Sequence, residues 1–342
     1  MSLATIDDSF LAQVEPLRRE LTAHCYRMVG SVHDAEDLVQ ETYLRAWRAF
    51  HGFEHRSSLR TWMYQIATNT CMTALSKKER RTLPTGLGQP SSDPGGVLES
   101  RPEVPWLEPL PDDLVWGAPV QDPATLVVTK DSVRLAFVAA LQHLTAQQRA
   151  VLVLRDVLAW RAQEVATTLE ISVAAVNSAL QRARAHLARL DPDATPRLSS
   201  DDQRARALID QYVAAFEEYD VERIVSLLTE DAVWEMPPFT GWYSGAVTIG
   251  RLIANQCPAE RPGDMRMVRT SANGQPALAL YMRDTDGVHR AFQLQQPTLT
   301  ASGVAHVVCH FDTTLFADFG LPRELDLSAW QAGRSAHAQP AK

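Results

Sequence analysis

"EVATTLEISVAAVNSALQRARAHL", residues 164–187, contains two helical patterns separated by a short turn. Leu169 ends the first pattern, and the hydroxyl of Ser172 can cap the second helix by accepting from its free backbone amides. The positions where two such helices must pack are apolar: Ala166, Ile171, Val176 and Leu180. The stretch indicates a helix-turn-helix, although a plain amphipathic helix with a solvated basic face would give a similar local pattern.

The second of these helices has an outer face suited to DNA. Recognition helices enter the major groove with short residues first and direct amide or guanidinium groups at bases and phosphates. Residues of these kinds occupy its polar positions: Ser172, Asn177, Ser178, Gln181, Arg182 and Arg184. We therefore predict a DNA-binding helical domain over residues 126–190.

Residues 10–83 have a helical pattern nearly throughout. "FEHRSSLRTWMYQIATNT" (53–70) joins a loop to a helix that is expected to continue to about residue 81. Its aromatic, cationic and amide side chains suit single-stranded DNA, where bases stack on rings and phosphates need neutralising. Alternatively, Trp62 packs in the core on a stripe with Leu59, Ile66 and Thr70. The cations of "KKERR" (77–81) are also favoured by the helix dipole alone.

"DAEDLVQETYLRAW" (34–47) concentrates carboxylates on one helical face. Asp37, Gln40 and Glu41 share a polar side with Asp34, opposite an apolar stripe. A metal site would need a His or a second liganding segment, and an acid–base pair would need a pocket. We interpret the face as a docking surface for another protein, with an ordinary solvated helix as the alternative.

Charge and composition limit the function. The net charge is −8, but the two helical blocks are near neutral or basic while the remainder is acidic, which argues against a protein that coats DNA non-specifically. No apolar run of 18 residues and no signal peptide occur, so we expect a cytoplasmic protein without membrane contact. The four cysteines are widely spaced and predict free thiols, with no metal and no cofactor.

Residues 84–125 have the composition of a linker, with nine prolines and five glycines. Part of it is nevertheless predicted to pack on a folded surface, because it contains Trp106, Leu107, Leu110, Leu114 and Trp116. Residues 203–325 change to an α+β pattern. Helices are predicted at 203–218, 221–228 and 246–255, and "DTDG" (284–287) predicts a hairpin between two strands.

The order of these pieces resembles that of the bacterial extracytoplasmic-function (ECF) sigma factors of the σ70 family. Further similarity in "WLEPLPD", "MPPFTGWYSG" and "CPAERPGDMR" points to the SigG-type subfamily, in which a SnoaL-like domain of the NTF2-like fold follows region 4. The resemblance implies a multidomain protein. It would contain all-α σ2 (10–83) and σ4 (126–190) domains joined by a Pro-rich acidic linker (84–125), then an α+β NTF2-like cone (203–325).

The resemblance also implies partners and site residues. Asp37, Gln40 and Glu41 would dock on the β′ clamp helices of core RNA polymerase, and σ4 would meet the β flap. The loop 53–58 and its helix would contact the −10 element, and the helix-turn-helix the −35 element. The implied DNA-binding residues before the linker are Phe53, Ser57, Ser58, Arg60, Trp62, Asn69, Lys77, Arg80 and Arg81. The sequence departs from the family pattern at two places. Many relatives have Gly at the position of Glu170, and a T-V-K-S-R-L run where this sequence has "AVNSAL" (175–180), so the −35 consensus of relatives cannot be transferred to this protein.

The cone is expected to contain a pocket. Related enzymes use a carboxylate or His there as general base, and the candidates are Asp231, Glu235, His306, His310 and Asp312. The residues predicted to line the pocket are Trp234, Phe239, Trp242, Tyr243, His306 and His310. Because no motif specifies an acid–base pair, we predict a regulatory domain rather than an enzyme, acting either by sensing a small-molecule ligand or purely by contact.

The predicted function is promoter-specific transcription initiation with RNA polymerase. Two alternatives are a SnoaL-type isomerase or cyclase fused to a helix-turn-helix, and a conventional helix-turn-helix repressor. The acidic helix at 34–47 followed by the loop and helix at 53–69 distinguishes them, because neither alternative needs that block.

Overall fold

The computed structural model describes residues 8–53, 57–76, 79–116, 130–190, 197–200 and 202–326. The chain divides into two compact units. The first contains Met1–Leu83 and Glu103–Thr195, and the second contains Pro84–Pro102 and Pro196–Lys342. The predicted linker is therefore shared between the two units.

The first unit is helical. Its eight α-helices within the described residues are α1 (Asp8–Val14), α2 (Arg18–Val29), α3 (Val32–Ala49), α4 (Leu59–Leu75), α5 (Leu135–Gln142), α6 (Ala146–Leu152), α7 (Ala162–Thr168) and α8 (Val173–Leu190). Ser31 and Ser58 begin α3 and α4 as N-caps, each accepting a backbone amide from three residues further on. Thr145 and Gln148 form a capping box at the start of α6.

Two buried arginines connect the helices before the linker to those after it. Arg27 of α2 donates to the carbonyl of Ser132 at 3.0 Å and to its hydroxyl at 2.7 Å. Arg149 of α6 donates to the Leu141 carbonyl at 2.9 Å and to the Met28 carbonyl of α2. Burial lowers the pKa of each guanidinium to about 10. The acceptors compensate part of the cost of burying these charges.

Glu108, in the second half of the predicted linker, lies at the N-terminus of α3. Its carboxylate accepts from Ser31 Oγ at 2.7 Å and from the backbone amide of Val32 at 3.1 Å. Arg81 Nη1 donates to the other carboxylate oxygen at 3.1 Å, while Arg81 Nη2 donates to Asp34 at 2.8 Å. A carboxylate is stabilised there by free amides and by the helix dipole.

The segment around Glu108 packs on the corner between α2 and α3. Leu107 and Leu110 are fully buried, as expected of the apolar residues in the linker. Gly30, which ends α2 with a φ of +73°, makes the approach possible because a Cβ there would lie 2.7 Å from Leu107 Cδ1.

The second unit is an α+β cone. Its helices are α9 (Gln203–Glu217), α10 (Val221–Leu227), α11 (Ala246–Gln256) and α12 (Leu315–Asp318). Its strands are β1 (Leu228–Glu235), β2 (Trp242–Ser244), β3 (Met265–Ala272), β4 (Gln275–Arg283), β5 (His289–Thr300) and β6 (Gly303–His310). They form one sheet in the order β2-β1-β6-β5-β4-β3, in which only β1 and β6 are parallel among the described pairs. Register shifts in β1, β5 and their partners mark the irregularities that bend a sheet.

The two faces of the sheet have different cores. The main core covers one face and includes Trp234, Val307 and Cys309 with residues of α9, α10 and α11. A smaller cluster covers the other face and joins Tyr281 and Leu294 to Phe316 of α12.

Several sequence predictions can be compared with this fold. The helix-turn-helix is confirmed by α7 and α8 with the short turn between them. The hairpin at "DTDG" is confirmed because β4 pairs with β5 from Arg283 and His289 onward. The helix predicted up to about residue 81 ends at Leu75. Its buried residues are Met63, Tyr64, Ala67, Thr68, Thr70 and Cys71, whereas Leu59, Trp62 and Ile66 are only partly buried. The helix has apolar residues on adjacent stripes, so periodicity alone did not determine which stripe packs inward.

Replacing Glu108 should destabilise the first unit. Glu108→Gln removes the charge that faces Arg81 and the α3 N-terminus, and we expect the free energy of unfolding to fall by about 1–2 kcal/mol. Urea denaturation of the full-length protein, followed by far-UV circular dichroism, measures this loss. Glu103→Gln is the control, because Glu103 is an exposed acid of the same segment. Equal effects of the two substitutions would contradict the role given to Glu108.

Candidate nucleic-acid interface and cavity

The outer face of α3 is polar and accessible. Asp37 and Gln40 are exposed, and Glu41 is partly exposed in an ion pair with Arg45 at 2.7 Å. Leu44, one turn further along, is 38% exposed. Exposed acids beside an exposed leucine are suited to contact with a partner protein. Asp34, one turn before Asp37, forms an ion pair with Arg81.

The beginning of α4 carries an aromatic group. Phe53 stacks on Trp62 with ring centroids 4.7 Å apart, and Phe50 lies beside both rings. Trp62 remains partly exposed, so it belongs to this aromatic group rather than to the buried stripe. Ser58 caps the helix, and Asn69 is exposed about three turns later.

The basic residues near α4 have protein partners. Arg60 binds Glu20 at 2.8 Å and lies over the ring of Tyr64. Arg80 donates to His143 at 3.1 Å, and Arg81 is held by Glu108 and Asp34. Ser57 precedes the cap residue, while Lys77 lies outside the described residues, as do 54–56 of the predicted loop. Arg81 therefore has a structural role at α3, which the sequence did not indicate.

The helix-turn-helix consists of α7, its turn and α8. Ser172 Oγ accepts the backbone amide of Ala175 at 3.1 Å, which confirms the predicted cap. Val176, Ala179, Leu180 and Ala183 are buried. The predicted recognition residues are all exposed: Ser172, Asn177, Ser178, Gln181, Arg182 and Arg184.

Two details of this motif concern the predicted DNA-binding residues and the turn. Arg182 donates to Ser178 at 2.7 Å on the exposed face, whereas Arg184 forms a two-point ion pair with Asp156 at 2.6 and 2.9 Å. Glu170 adopts a φ of +54° in the turn, a conformation that favours glycine. This is the position where the sequence departs from the family pattern.

The second unit encloses a cavity of about 310 Å³ between the sheet and its helices. Its apolar lining consists of Leu98, Phe216, Trp234, Met236, Phe239, Leu252, Ile253, Pro258, Met265, Phe292 and Phe311. Gln256, Cys257 and Gln293 complete the lining. Burial raises the pKa of the Cys257 thiol, so it is largely protonated at neutral pH.

Only two of the six residues predicted for the pocket line this cavity, namely Trp234 and Phe239. Tyr243 pairs with Trp234 and is buried in the same core. Neighbouring residues on paired strands share a face. His306 is opposite Val233 and His310 is opposite Leu294, so both lie on the other face of the sheet.

Trp242 also lies away from the cavity, because it pairs with Glu235 on that other face. Glu235 is buried, and its carboxylate contacts His306 Nε2 at 2.8 Å. Burial lowers the pKa of His310 to about 3. Asp231 accepts from Thr229, and Asp312 from Thr314, both at exposed positions. The candidates for a general base therefore do not meet in the cavity.

Residues Pro84–Pro102, which we call the strap, run along the edge of the cone. Near its start, the backbone amide of Thr85 donates to Glu235 at 2.8 Å. Further along, the Ser92 amide donates to the Trp242 carbonyl at 2.7 Å, next to the open edge strand β2. The strap then places Leu98 in the wall of the cavity.

Two further features concern function. Within the ranges that the structure describes, no group of three His, Cys, Asp or Glu residues could hold a metal ion. No helix in those ranges is long and apolar enough to cross a membrane. The sequence did not indicate Glu108, Leu98 or Gln293 as functional, since each depends on contacts between distant segments.

Family models match three parts of the chain. Sigma-70 region 2 matches residues 13–81, Sigma-70 region 4 matches residues 134–187, and a SnoaL-like domain matches residues 209–313. Region 2 contains α3 and α4, and region 4 contains the helix-turn-helix. The SnoaL-like match covers the cone.

Two sigma factors are similar to most of this chain. The ECF RNA polymerase sigma factor SigG of Mycobacterium tuberculosis is 60% identical over 92% of this chain and 85% of SigG. SigJ of the same organism is 30% identical over 69% of this chain and 65% of SigJ. The crystal structure of SigJ has the same fold, with a TM-score of 0.61 at 23% identity, covering 92% of this chain and 99% of SigJ. The chain belongs to the ECF RNA polymerase sigma factors that carry a C-terminal SnoaL-like domain.

Proposed function

We propose that this protein directs promoter-specific initiation by binding core RNA polymerase and promoter DNA in the cytoplasm. Region 2 supplies the polymerase-docking face and contacts with the −10 element, and region 4 contacts the −35 element and the β flap. The observation that carries the proposal is that a partner-accessible α3 face and an exposed recognition helix occur in one helical unit. Run-off transcription with purified core enzyme and a library of promoter fragments tests it. Absence of specific transcripts would contradict it.

The α3 face supports docking on the β′ clamp helices through Asp37, Gln40 and Glu41. We expect the double variant Asp37→Ala/Glu41→Lys to weaken core-enzyme binding by about tenfold, because exposed charges at an interface contribute about 1 kcal/mol. Fluorescence anisotropy with labelled full-length protein measures the affinity. Glu103→Ala removes an exposed acid outside α3 and should bind as the parent does. Unchanged affinity of the double variant would rule out this face.

The two halves of the recognition face should affect DNA binding differently. Asn177 lies near the N-terminus of α8, where recognition helices meet base edges, so Asn177→Ala should relax preference at one base position. Arg182 lies a turn further on. We expect Arg182→Ala to weaken binding to all DNA sequences alike and to reduce the slope of log affinity against log salt concentration by about 1.

Competition binding with point-substituted promoters, repeated at several salt concentrations, separates these effects. Arg204→Ala removes an exposed arginine of α9 and is the matched control. A loss of base preference in Arg182→Ala, together with no such loss in Asn177→Ala, would reverse the two assignments.

The C-terminal domain is proposed to regulate initiation rather than to catalyse a reaction. General acid–base catalysis requires a titratable group within hydrogen-bond reach of the substrate. Among the described residues that line the cavity there is no carboxylate and no imidazole, and burial raises the pKa of the Cys257 thiol, which keeps it protonated at neutral pH. This lining supports ligand binding over the alternative of a SnoaL-type isomerase or cyclase. Measurable turnover of a cavity ligand by the purified protein would contradict this part of the proposal.

A further inference from the structure

The cavity of the C-terminal cone has the lining of a site for an uncharged aromatic molecule. Phe311 makes edge-to-face contacts with Phe239 and with Phe292, both at 5.2 Å between centroids. Trp234 is stacked parallel to Phe216 on another side. Rings arranged in this way favour planar apolar ligands. A volume of about 310 Å³ is at the lower end of the range for ligand pockets.

The lining also contains the buried amide side chain of Gln293. Gln293 is 7% exposed, and within the described part of the chain its Oε1 is buried without a hydrogen-bond donor. A buried acceptor left unsatisfied is unfavourable, and a ligand donor would satisfy it. A charged ligand would meet no counter-charge from the described residues of the lining and would lose its hydration.

The strap forms part of the same wall. Leu98 lines the cavity, and Gln256, another lining residue, donates from Nε2 to the strap carbonyl of Gly96 at 3.0 Å. Beyond Leu98, the Thr240 amide donates to the Glu99 carbonyl at 2.9 Å and the Arg101 amide donates to the Pro238 carbonyl at 2.9 Å. A ligand in the cavity would therefore contact the strap directly.

We propose that the cavity binds an uncharged aromatic molecule with a hydrogen-bond donor. The bound molecule contacts Leu98 and thereby makes local opening of the strap less favourable, which we call strap tightening. The strap is continuous in sequence with Leu83 at the end of region 2 and with Glu103, which begins the segment anchored by Glu108. Occupancy of the cavity thus acts on the connection between region 2 and region 4. The regulatory output rests on the proposed sigma-factor function, whereas ligand binding and strap tightening do not.

N-Phenyl-1-naphthylamine is a suitable probe because it is neutral, aromatic, carries one N–H donor and fluoresces in apolar surroundings. 8-Anilino-1-naphthalenesulfonate has the same rings and amine plus a sulfonate, and is the matched control. We expect full-length protein to bind the neutral probe about tenfold more tightly than the sulfonate. Gln293→Leu should weaken binding of the neutral probe about fivefold, because one hydrogen bond is lost. Equal affinity for the two probes, or no effect of Gln293→Leu, would overturn the ligand class.

Alkylation of Cys257 locates the probe. Cys25, Cys71 and Cys309 are buried, whereas Cys257 is partly exposed in the cavity wall. The neutral probe should slow alkylation of Cys257 at pH 8.5 about fivefold, because a ligand in the cavity covers the residues that line it. Probe binding with unchanged Cys257 alkylation would place the probe elsewhere and overturn the site.

Hydrogen exchange of peptides spanning 88–102 tests the strap. Saturating neutral probe should slow exchange about threefold in the parent protein, because local opening becomes less favourable. Leu98→Ala should abolish this slowing while still binding the probe. Val97→Ala is the control, since Val97 is 98% exposed, and should behave as the parent. Slowing that persists in Leu98→Ala, or none in the parent, would overturn the role of the strap. These measurements contain no polymerase, so a failed run-off assay leaves them unaffected.

Discussion

The contact between the Glu108 carboxylate and the N-terminus of α3 determines the arrangement of the helical unit. It satisfies the Val32 amide, binds the N-cap hydroxyl of Ser31 and holds Arg81. The segment around Glu108 is therefore held against the helices, since Leu107 and Leu110 are buried. With its N-terminal end covered in this way, α3 presents Asp37 and Gln40 outward. A segment distant in sequence thus holds the N-terminal end of the helix that carries Asp37 and Gln40.

Buried guanidinium groups have a similar organising effect between the two halves of the first unit. Arg27 and Arg149 are fully or nearly fully buried, and their described acceptors include carbonyl, hydroxyl and amide oxygens. Such contacts are directional, so they fix how α2 and α6 pack more strictly than apolar contacts would. The lowered pKa values express the cost of desolvating these cations.

The cone separates two chemistries on opposite faces of one sheet. Side chains that alternate along β1 and β6 place Trp234 and Val307 inward but Glu235 and His306 outward. The inward face is apolar and forms the cavity, while Glu235 on the outward face holds the start of the strap. The strap contacts both faces, through Thr85 on the outward face and through Leu98 in the cavity wall.

The sequence by itself determined the domain order, the helix-turn-helix with its Ser172 cap and the exposed residues of α8, because these depend on local periodicity and capping. It also indicated the polar side of α3 and two residues of the cavity, Trp234 and Phe239. Only the tertiary structure decided that Trp62 stays partly exposed, that Arg81 binds Glu108, and that His306 and His310 lie away from the cavity. These outcomes depend on strand register, on the choice between adjacent apolar stripes and on contacts between distant segments. Local sequence patterns do not specify such contacts, because their free energy arises only when the chain is folded.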